Sequence, residues 1–452
     1  MSAAPLESAA SEERAVDIDI EGFAPAGDGV GHFQGAAVFV PGTIGGERAR
    51  VAIDQGDVRG PVQGRLLDLL SRSPDRLPPV CPHAGICGGC QWLHVAPKRQ
   101  REAKAAMFAQ ALGQLLDGID ARPMAHAGQD LGYRARATLH VSGGRLGFSQ
   151  KRSHAVVTVS ACPLLDARIN AALTSLQNLL GEASDSWRLP RGTVDVALAC
   201  DESRVSAAFF LERLSDDAQS RLSRLVRHAA LDGALAVVNG RVTPLVGKPV
   251  LQRRAPSSTR AFLRTRPDLF AQAHTMANAL LVAEVVDRLE GAERVLELYG
   301  GSGNFTLALA ERVKALVSIE MCAGALELAR QSAREASFSH VRFIVGDAIR
   351  QARDLARSGI RFDALLIDPP RGGAPGIAEV AQALDVNRVV YVSCNPATLA
   401  RDAHSLVATG YRPTFARAFD MFPQTVHLEG VMVFERAQRC PPSRPLAPVR
   451  PA

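Results

Sequence analysis

The residues best suited to covalent chemistry lie in residues 391–402, YVSCNPATLARD. The β-branched residues before Ser393 predict a strand, and Pro396 fits the first turn of a helix but cannot continue a strand. Cys394 would therefore lie on a loop near a helix N-terminus, where the helix dipole favours a thiolate. A lone cysteine is more often a buried, unreactive thiol. The assignment of Cys394 as a nucleophile therefore depends on whether other stretches of the sequence supply the further groups that a catalytic cysteine needs.

A thiolate can activate a carbon atom that is otherwise unreactive. The C5 atom of a pyrimidine is too weakly nucleophilic to accept a methyl group unaided, but a thiolate that adds at C6 places negative charge on C5. The C5 proton must then be removed by a base. His427 and Glu429 are both candidates; we favour Glu429 as the base and expect His427 to orient a neighbour. A target inside folded RNA must be flipped out of its stack to reach such a pocket.

A methyl-donor site is indicated by residues 295–306, VLELYGGSGNFT. Gly300 and Gly301 allow a sharp turn after a strand and a close approach of a ligand to the backbone. Glu320 would end the next strand, where ribose hydroxyls bind, and Asp347 would end the third, where it suits an adenine amino group. This pattern favours S-adenosylmethionine, and a nicotinamide cofactor is the less favoured alternative.

The segment Asp368-Pro369-Pro370-Arg371 follows the predicted fourth strand. Methylases that act on exocyclic amines have an aromatic residue directly after the double proline, which stacks on the flipped base. Arg371 lies at this position instead. Methylation of an amine is therefore disfavoured, and Asp368 needs another role.

A second group of cysteines has the spacing of metal ligands. Three lie close together among glycines and a fourth, like the first, precedes a proline: Cys81, Cys87, Cys90 and Cys162. Four thiolates can hold a structural zinc ion or a [4Fe-4S] cluster, and spacing alone leaves both open. The cysteine-proline pair and the remote fourth ligand favour iron-sulfur. His83 and His94 are expected to be bystanders.

Length and composition predict several domains and suit a polyanionic partner. The 452 residues are too many for one core, and the 47% hydrophobic content is that of a globular protein. The net charge of +6 suits a polyanion. The sequence has neither the pattern of a signal peptide nor a run of about 20 apolar residues. We expect a cytoplasmic monomer that binds RNA and no membrane.

The strand and turn pattern predicts a multidomain α/β protein. Residues 15–72 resemble a five-stranded OB-type barrel, residues 73–262 an α+β domain with the cysteine group, and residues 437–452 a disordered tail. Residues 263–436 alternate strands and helices, which predicts a Rossmann-like, doubly wound parallel sheet. Its strands are expected at 294–298, 315–319, 341–345, 364–367 and 389–392, followed by antiparallel strands at 415–419 and 431–435.

Two basic stretches allow more than one interpretation. A helix from residue 97 to about 116 begins with Lys98, Arg99, Arg101 and Lys104, which face either phosphate or solvent. The arginines between residues 253 and 266 are predicted to lie in a connector before the last domain.

Taken in order, these motifs resemble those of RNA uracil-C5 methyltransferases, in particular the iron-sulfur enzymes that methylate 23S ribosomal RNA. The resemblance covers nearly all of residues 15–436, including DPPR, SCNPATLARD and HLE. It implies a TRAM-type barrel at the N-terminus, a [4Fe-4S] cluster, and S-adenosylmethionine as methyl donor. It also implies that residues 93–124 pack with the methylase domain.

The resemblance assigns roles to single positions. Cys394 matches the family nucleophile and Glu429 the base. The positions that match the family's donor site are Gln272, Tyr299, Asn304, Glu320, Asp347 and Asp368. Three positions depart from the family pattern, since Gly300 lies where a cysteine is usual and His274 and Ser332 lie where asparagines are usual. Gly300 removes a side chain beside the donor and is expected to loosen its site.

Two alternatives to an enzyme acting on 23S ribosomal RNA stay open at this point. The same chemistry could act on tRNA, although the cysteine group favours ribosomal RNA. The chain could also be a noncatalytic RNA-binding module with a degenerate methylase core, which the intact Cys394 and Glu429 argue against.

Overall fold

The computed structural model describes residues 13–54, 60–182 and 187–436. The disorder predicted for residues 437–452 lies outside the described residues. The sequence also predicts disorder for residues 1 to about 14, of which residues 1–12 lie outside the described residues. The first strand begins at Glu13, two residues before the predicted domain start. Within the described residues, no helix is long and apolar enough to cross a membrane.

The N-terminal region forms two small sheets around one core. Its strands are β1 (Glu13–Asp19), β2 (Gly22–Phe23), β3 (Gly29–Phe33), β4 (Ala36–Val40), β5 (Arg48–Asp54), β6 (Val62–Gln63) and β7 (Arg65–Ser71). The sheet orders are β1-β5-β7 and β2-β3-β4-β6. Val16, Val38 and Val51 come from both sheets and share the core. The described residues thus form seven strands instead of the predicted five, because turns split the glycine-rich stretch and Gly64 splits the last one.

The cysteine loop is followed by α1 (Pro97–Leu112), a 3₁₀ turn (Gly113–Leu116) and β8 (Asp120–Ala125). Pro97 lies in the first turn of α1, where its fixed φ suits a helix start and its missing N–H costs nothing. The sequence of α1 shows no amphipathic stripe, although Phe108 and Leu112 are buried.

The central region is a seven-stranded mixed sheet with two helices packed against one core. Its strands are β9 (Arg136–Ser142), β10 (Arg145–Ser149), β11 (Val156–Thr158), β12 (Thr193–Cys200), β13 (Val205–Leu211), β14 (Gly233–Val238) and β15 (Arg241–Gly247), in the order β11-β10-β9-β12-β13-β14-β15. The helices are α2 (Ala167–Gly181) and α3 (Asp216–His228). Leu173 of α2 and Leu222 of α3 meet Leu198 of β12 in that core.

The arginine-rich stretch is a hairpin, not the predicted connector. The strand β16 (Leu251–Arg254) pairs antiparallel with β17 (Phe262–Thr265). Arg264 of β17 is buried and forms an ion pair with Glu335. At least this arginine therefore serves the fold rather than an external anion.

The C-terminal region has the predicted alternation of strands and helices. Its elements are α4 (Thr275–Arg288), β18 (Arg294–Leu298), α5 (Thr306–Leu309), β19 (Ala315–Glu320), α6 (Ala323–Glu335), β20 (Val341–Val345), α7 (Ala348–Arg357), β21 (Ala364–Ile367), α8 (Ile377–Leu384), β22 (Arg388–Ser393), α9 (Pro396–Ala408), β23 (Tyr411–Phe419) and β24 (Glu429–Arg436). They form an eight-stranded sheet in the order β20-β19-β18-β21-β22-β24-β23-β8. The first five of these strands are mutually parallel, and β24 is antiparallel to both of its neighbours.

Two elements from the early part of the chain join the C-terminal region, one in its sheet and one in its core. β8 pairs in parallel with β23 at its edge. Phe108 and Leu112 of α1 join the same core as Leu399 of α9. The approach of α1 to the sheet is close, since a Cβ atom on Gly430 of β24 would lie 2.4 Å from Cε2 of Phe108.

We therefore expect Gly430→Ala to lower the stability of the folded protein by about 1–3 kcal/mol, the usual cost of overpacking a core. The added methyl group would lie 2.4 Å from Cε2 of Phe108 and 3.4 Å from Cδ2 of Leu399. Because the contact with Phe108 is too short, the ring of Phe108 has to move. Unfolding in guanidinium, followed by circular dichroism, measures the loss.

The matched control is Gly22→Ala in β2, where an added Cβ atom meets nothing within 4 Å. This change should stay within about 0.5 kcal/mol of wild type. A Gly430→Ala protein as stable as the control would contradict the close packing of α1 on β24.

Candidate active site

Cys394 and Glu429 lie at the same end of two neighbouring strands. β22 pairs antiparallel with β24, and the last pair in this register is Ser393 with Gly430. The next residue along β22 and the preceding residue of β24 are Cys394 and Glu429, which therefore face each other beyond that pair. Consistent with this proximity, the Glu429 carboxyl group helps to raise the pKa of the Cys394 thiol. Two residues predicted from separate stretches thus meet in the structure.

Burial dominates the electrostatics of this pair. Burial raises the pKa of Cys394 to about 11, with Glu429 and Asp368 adding to the rise and Arg371 opposing it. Burial also raises the pKa of Glu429 well above its ordinary value, and Asp368 adds to this rise. For Cys394 the direction is opposite to the one expected from a helix N-terminus, because desolvation and two carboxyl groups outweigh the helix dipole. The free thiol is protonated at neutral pH.

One oxygen of the Glu429 carboxyl group is not held by a hydrogen bond within the described residues. Glu429 is 5% exposed, and its Oε2 atom has no hydrogen-bond partner among the described residues. A buried oxygen without a donor is costly. The position of this carboxyl group therefore depends on the backbone that carries it.

Asp368 lies at the switch point of the sheet. β19 and β20 follow β18 on one side, whereas β21 and β22 lie on the other side, and ligands of such sheets bind beyond the strand ends at this reversal. Tyr299 follows β18 and Asp368 follows β21 at this position. Burial, followed by the charge of Glu297, raises the pKa of Asp368 to about 7.

The loop after Asp368 is attached to the helix after Cys394. The backbone oxygen of Arg371 accepts hydrogen bonds from Asn395 Nδ2 at 3.2 Å and from Thr398 Oγ1 at 3.3 Å. Asn395 also caps α9 by accepting the backbone N–H of Ala397 at 3.1 Å. Arg371 is therefore held beside the thiol by the same residues that begin the helix.

A buried carboxylate that the sequence interpretation did not use reinforces this attachment. Asp402 of α9 accepts hydrogen bonds from the hydroxyl of Tyr391 at 2.6 Å and from the backbone N–H of Ala374 at 2.8 Å. Arg401 donates to its other oxygen at 2.8 Å. The only sequence signal was an acidic residue eight positions after the cysteine, on a predicted helix.

Glu320 links the glycine turn to the end of β19. One oxygen of its carboxylate accepts the backbone N–H of Gly301 at 3.0 Å, and the other accepts the N–H of Cys322 at 2.7 Å. A carboxylate oxygen has further lone pairs, so these bonds orient Glu320 without exhausting it. Asp347 caps α7 by accepting the backbone N–H of Arg350 at 2.8 Å.

Two of the remaining predicted donor-site residues, Tyr299 and Asn304, flank the same turn. Tyr299 has a φ of +64°, a conformation that is rare for a bulky residue and is often found at functional sites. The side-chain amide of Asn304 is paired with that of Asn278 through two hydrogen bonds of 2.8 and 2.9 Å, and sequence reasoning missed Asn278. The Oε1 atom of Gln272 is buried without a hydrogen-bond partner among the described residues, so it can accept one from a ligand.

Gly300 does not leave an empty space beside the turn. A Cβ atom at this position would lie 2.1 Å from Oγ of Ser318 and 3.2 Å from Oε2 of Glu297. Glu297 is buried, accepts a hydrogen bond from the hydroxyl of Thr306, and has its pKa raised to about 7, mainly by burial. Two side chains therefore fill the volume beside Gly300, and the expected loosening of the donor site stays a prediction. An acidic residue inside the apolar strand VLEL was the signal for Glu297.

The two other departures from the family pattern have structural roles. His274 caps α4, with its Nδ1 atom accepting the backbone N–H of Ala277 at 3.4 Å, and its ring stacks on Tyr133. Ser332 is buried, and its hydroxyl lies 3.3 Å from the guanidinium of Arg264.

His427 lies close to the cations of the site. Burial, followed by the charges of Arg371, Lys104 and Arg134, lowers the pKa of its ring to about 4. The ring is therefore neutral at pH 7, and its edge-on contact is with Phe422, at a centroid distance of 6.2 Å. Its predicted orienting role stays a prediction.

The helix α1 does not present all of its basic residues to the outside. The Lys104 side chain is buried and donates to Oδ1 of Asp420 at 2.6 Å and to the backbone oxygen of Phe422 at 2.9 Å. Arg101 forms an ion pair with Asp130 at 3.4 Å. Neither predicted environment, phosphate or solvent, is correct for Lys104.

The predicted ligand cysteines line a single cavity of about 40 Å³, together with His83 and Arg134: Cys81, Cys87, Cys90 and Cys162. All four are free thiols and partly buried. Within the described part of the chain, no group of three or more histidine, cysteine or acidic side chains is arranged to hold a metal ion. A tetrahedral zinc site would bring sulfurs to about 3.8 Å from one another, given Zn–S bonds of about 2.3 Å.

Comparisons with known proteins agree on the kind of enzyme. A family model described as tRNA (Uracil-5-)-methyltransferase matches residues 109–437, and a TRAM domain model matches residues 12–59. A protein of Alkalilimnicola ehrlichii named 23S rRNA (uracil(1939)-C(5))-methyltransferase RlmD is 37% identical over 436 residues, which cover 93% of this chain and 96% of that protein. The protein of the same name from Edwardsiella ictaluri is 36% identical over 430 residues, 93% of this chain and 94% of that protein.

A solved structure shows the same fold over nearly the whole chain. It is the Pyrococcus abyssi tRNA (uracil-54, C5)-methyltransferase in complex with S-adenosyl-L-homocysteine, with a TM-score of 0.74 at 24% sequence identity. The match covers 92% of this chain and 99% of that one. The thiol and carboxyl group that meet across β22 and β24, the sheet around them and the sequence matches have one common explanation: the chain belongs to the tRNA (uracil-5-)-methyltransferase family and is an S-adenosylmethionine-dependent RNA uracil-C5-methyltransferase with an N-terminal TRAM domain.

Proposed function

We propose that this methyltransferase modifies a uridine of 23S ribosomal RNA through a covalent bond between Cys394 and C6 of the uracil. The observation that carries the mechanism is the meeting of Cys394 and Glu429 at the ends of β22 and β24. Addition at C6 and proton removal at C5 act on two bonded ring atoms. The nucleophile and the base therefore have to lie close together in one site.

The proposed steps balance on the ring. Sγ of Cys394, as a thiolate, bonds to C6, and the electron pair of the C5–C6 double bond moves into an enolate. C5 then bonds to the methyl group of S-adenosylmethionine, whose sulfur–methyl bond breaks so that its electron pair stays on the sulfur of S-adenosylhomocysteine. Glu429 takes the C5 proton, and that electron pair re-forms the double bond as the C6–S bond breaks. The products are 5-methyluracil, S-adenosylhomocysteine, a free thiolate and a protonated Glu429.

The raised pKa values of the pair have different consequences for the two residues. A thiol with a pKa of about 11 needs help to ionise at neutral pH, and Arg371, whose charge lowers this pKa, is the nearby cation that favours the thiolate. A carboxyl group with a raised pKa is a stronger base toward carbon than an ordinary glutamate. We propose these roles for Arg371 and Glu429.

The methyl donor is proposed to bind at the switch point between β18 and β21. Glu320, already oriented by two backbone N–H groups, would accept the ribose hydroxyls, and Asp347 the adenine amino group. Asn304 would shape the turn through Asn278. The full proposed set is Gln272, Tyr299, Asn304, Glu320, Asp347 and Asp368.

We propose a [4Fe-4S] cluster for the cavity of the four cysteines. The fit rests on four partly buried thiols that line one cavity. Thiolate ligands of Cys81, Cys87, Cys90 and Cys162 would hold it. The cluster would supply cross-links between the cysteine loop and the start of the central sheet.

The target is proposed from the relatives. Two proteins that each match 93% of this chain are named for 23S rRNA, and the net charge of +6 suits RNA. The TRAM region, which we propose closes as an OB-type barrel, would contact the RNA in the cytoplasm. A tRNA target is the alternative, because the family model and the archaeal structure carry that name.

Glu429→Gln should trap the enzyme on RNA. The amide cannot remove the C5 proton, so addition and methyl transfer proceed while elimination stalls, and turnover falls by roughly 10²–10⁴-fold. Labelled RNA should migrate with the protein on a denaturing gel in the presence of S-adenosylmethionine. Cys394→Ala should show neither adduct nor turnover while it still binds S-adenosylhomocysteine.

The control is Glu435→Gln, since Glu435 lies on the same strand, forms an ion pair with Arg388 and is remote from the thiol in register. It should turn over like wild type and retain no RNA. Full methyl transfer by Cys394→Ala would rule out the covalent mechanism.

The proposed target predicts which 5-methyluridine disappears when the gene is deleted. Mass spectrometry of digested RNA should show one such nucleotide lost from 23S rRNA and none lost from tRNA. Wild-type protein should restore it, whereas Cys394→Ala should not. Loss from tRNA alone would replace the proposed 23S rRNA target by tRNA and leave the proposed mechanism unchanged. No loss from either RNA would favour a noncatalytic RNA-binding module.

The proposed cluster predicts brown protein after purification without oxygen. Broad visible absorption should accompany about four iron atoms per chain, and Cys90→Ser should bleach it. Cys200→Ala is the control, because Cys200 lies in the core of the central sheet and outside the cavity. Colourless protein with one zinc ion per chain would replace the iron-sulfur assignment by zinc.

A further inference from the structure

The segment that delivers Glu429 is an irregular loop that is mostly buried. Residues 420–428 join β23 to β24 without a helix or strand. Asp420, Gln424 and Thr425 are 2%, 6% and 3% exposed, and Gln424 has a φ of +69°. Loops normally run over the surface because buried backbone groups need hydrogen-bond partners. The partners of this loop must therefore come from other segments.

One side chain of α1 provides several of these partners. Gln100 is 1% exposed, and its Oε1 atom accepts the backbone N–H of Gln424 at 2.8 Å. Its Nε2 atom donates to Oε1 of Gln424 at 2.9 Å and also lies within 3.0 Å of the backbone oxygens of Trp92 and Val95. This carboxamide ties the strained residue of the loop to the start of α1.

A second side chain, one turn further along α1, holds the beginning of the same loop. Lys104, which is fully buried, donates to Asp420 at 2.6 Å and to the backbone oxygen of Phe422 at 2.9 Å. Charge-assisted hydrogen bonds in a buried place are strong, and their loss leaves a carboxylate without a counter-ion. The hydroxyl of Tyr133 adds a bond of 3.0 Å to the oxygen of Pro423.

The loop is enclosed from the N-terminal side as well. A Cβ atom on Gly27 would lie 2.0 Å from Cγ1 of Val426, so the backbone of the TRAM region touches the loop directly. The indole N–H of Trp92 donates to the oxygen of Gly27 at 2.9 Å, while its backbone N–H donates to the oxygen of Gln424 at 3.1 Å. Segments far apart in sequence thus converge on residues 420–428.

We propose that Gln100 and Lys104 are positioning residues for the proton-removal step. They hold residues 420–428 so that the Glu429 carboxyl group, whose Oε2 atom has no hydrogen-bond partner among the described residues, faces C5 of the target. Neither residue touches the reacting atoms. The inference rests on the proposed role of Glu429 and adds that the base is placed by a helix more than 300 residues earlier in the chain.

The test separates elimination from the earlier steps. In single-turnover reactions with target RNA and labelled S-adenosylmethionine, Lys104→Met and Gln100→Leu should slow decay of the covalent adduct by roughly 10–100-fold, the cost of a small misplacement. Adduct formation and binding of S-adenosylhomocysteine should stay near wild type. The adduct should therefore accumulate, as a weaker form of the Glu429→Gln result.

The control variant is Lys98→Met, because Lys98 lies on the same helix with its side chain 87% exposed. It should leave adduct decay unchanged. Lys104→Met with Asp420→Asn is the second variant, since it removes the unpaired buried charge that could unfold the single variant. Thermal melting should show the double variant folded, and its adduct should still decay slowly because the tether is lost.

The outcomes distinguish this inference from the proposed function. If Glu429→Gln traps RNA while the folded Lys104 and Gln100 variants eliminate at the wild-type rate, the positioning role is wrong and the mechanism stands. If these variants slow formation and decay of the adduct equally, the role is only structural and the inference fails. If Glu429→Gln traps nothing, the proposed mechanism itself fails.

Discussion

The antiparallel register of β22 and β24 is the constraint on which the site depends. A shift by one residue would turn every side chain of a strand to the opposite face. Burial on both faces prevents such a shift. Val390 pairs with Val433 in one core, and the next pair, Tyr391 with Met432, lies in the other. The packing of both faces of these two strands thus sets the thiol of Cys394 opposite the carboxyl group of Glu429.

The site gains its chemistry from burying acids near one another. Asp368 has its pKa raised by burial and by Glu297, and Glu429 by burial and by Asp368. Each carboxyl group raises the pKa of the next, because neighbouring negative charges repel each other. A cation such as Arg371 reverses part of this effect for Glu429 and Cys394. Burying acids lowers the stability of the folded protein, but it also raises their pKa values and so tunes their basicity for catalysis.

Local patterns in the sequence predicted most of the elements, whereas several long-range contacts could not be predicted from them. The five parallel strands, the helix after Cys394 and the turn at Gly300 follow from periodicity and from proline and glycine positions. The pairing of β8 with β23 could not be predicted from such patterns. The burial of Lys104 could not be predicted either, because the basic residues of a helix are expected to be exposed unless a buried partner such as Asp420 is known. Asp402 was visible in its motif, but its bonds to Tyr391 and Ala374 require the folded loop.

Gly300 shows why a departure from a family pattern cannot be judged from one position. Read alone, a glycine beside the donor turn predicts a loosened pocket. In the fold, Oγ of Ser318 and the carboxylate of Glu297 occupy the space a side chain would need, and the hydroxyl of Thr306 holds that carboxylate in place. A larger residue at 300 would push Glu297 and Ser318 apart, so the glycine and its neighbours constrain one another. Since Glu297 also raises the pKa of Asp368, the absence of a side chain at 300 is linked to the charge state of the strand end where the donor is proposed to bind.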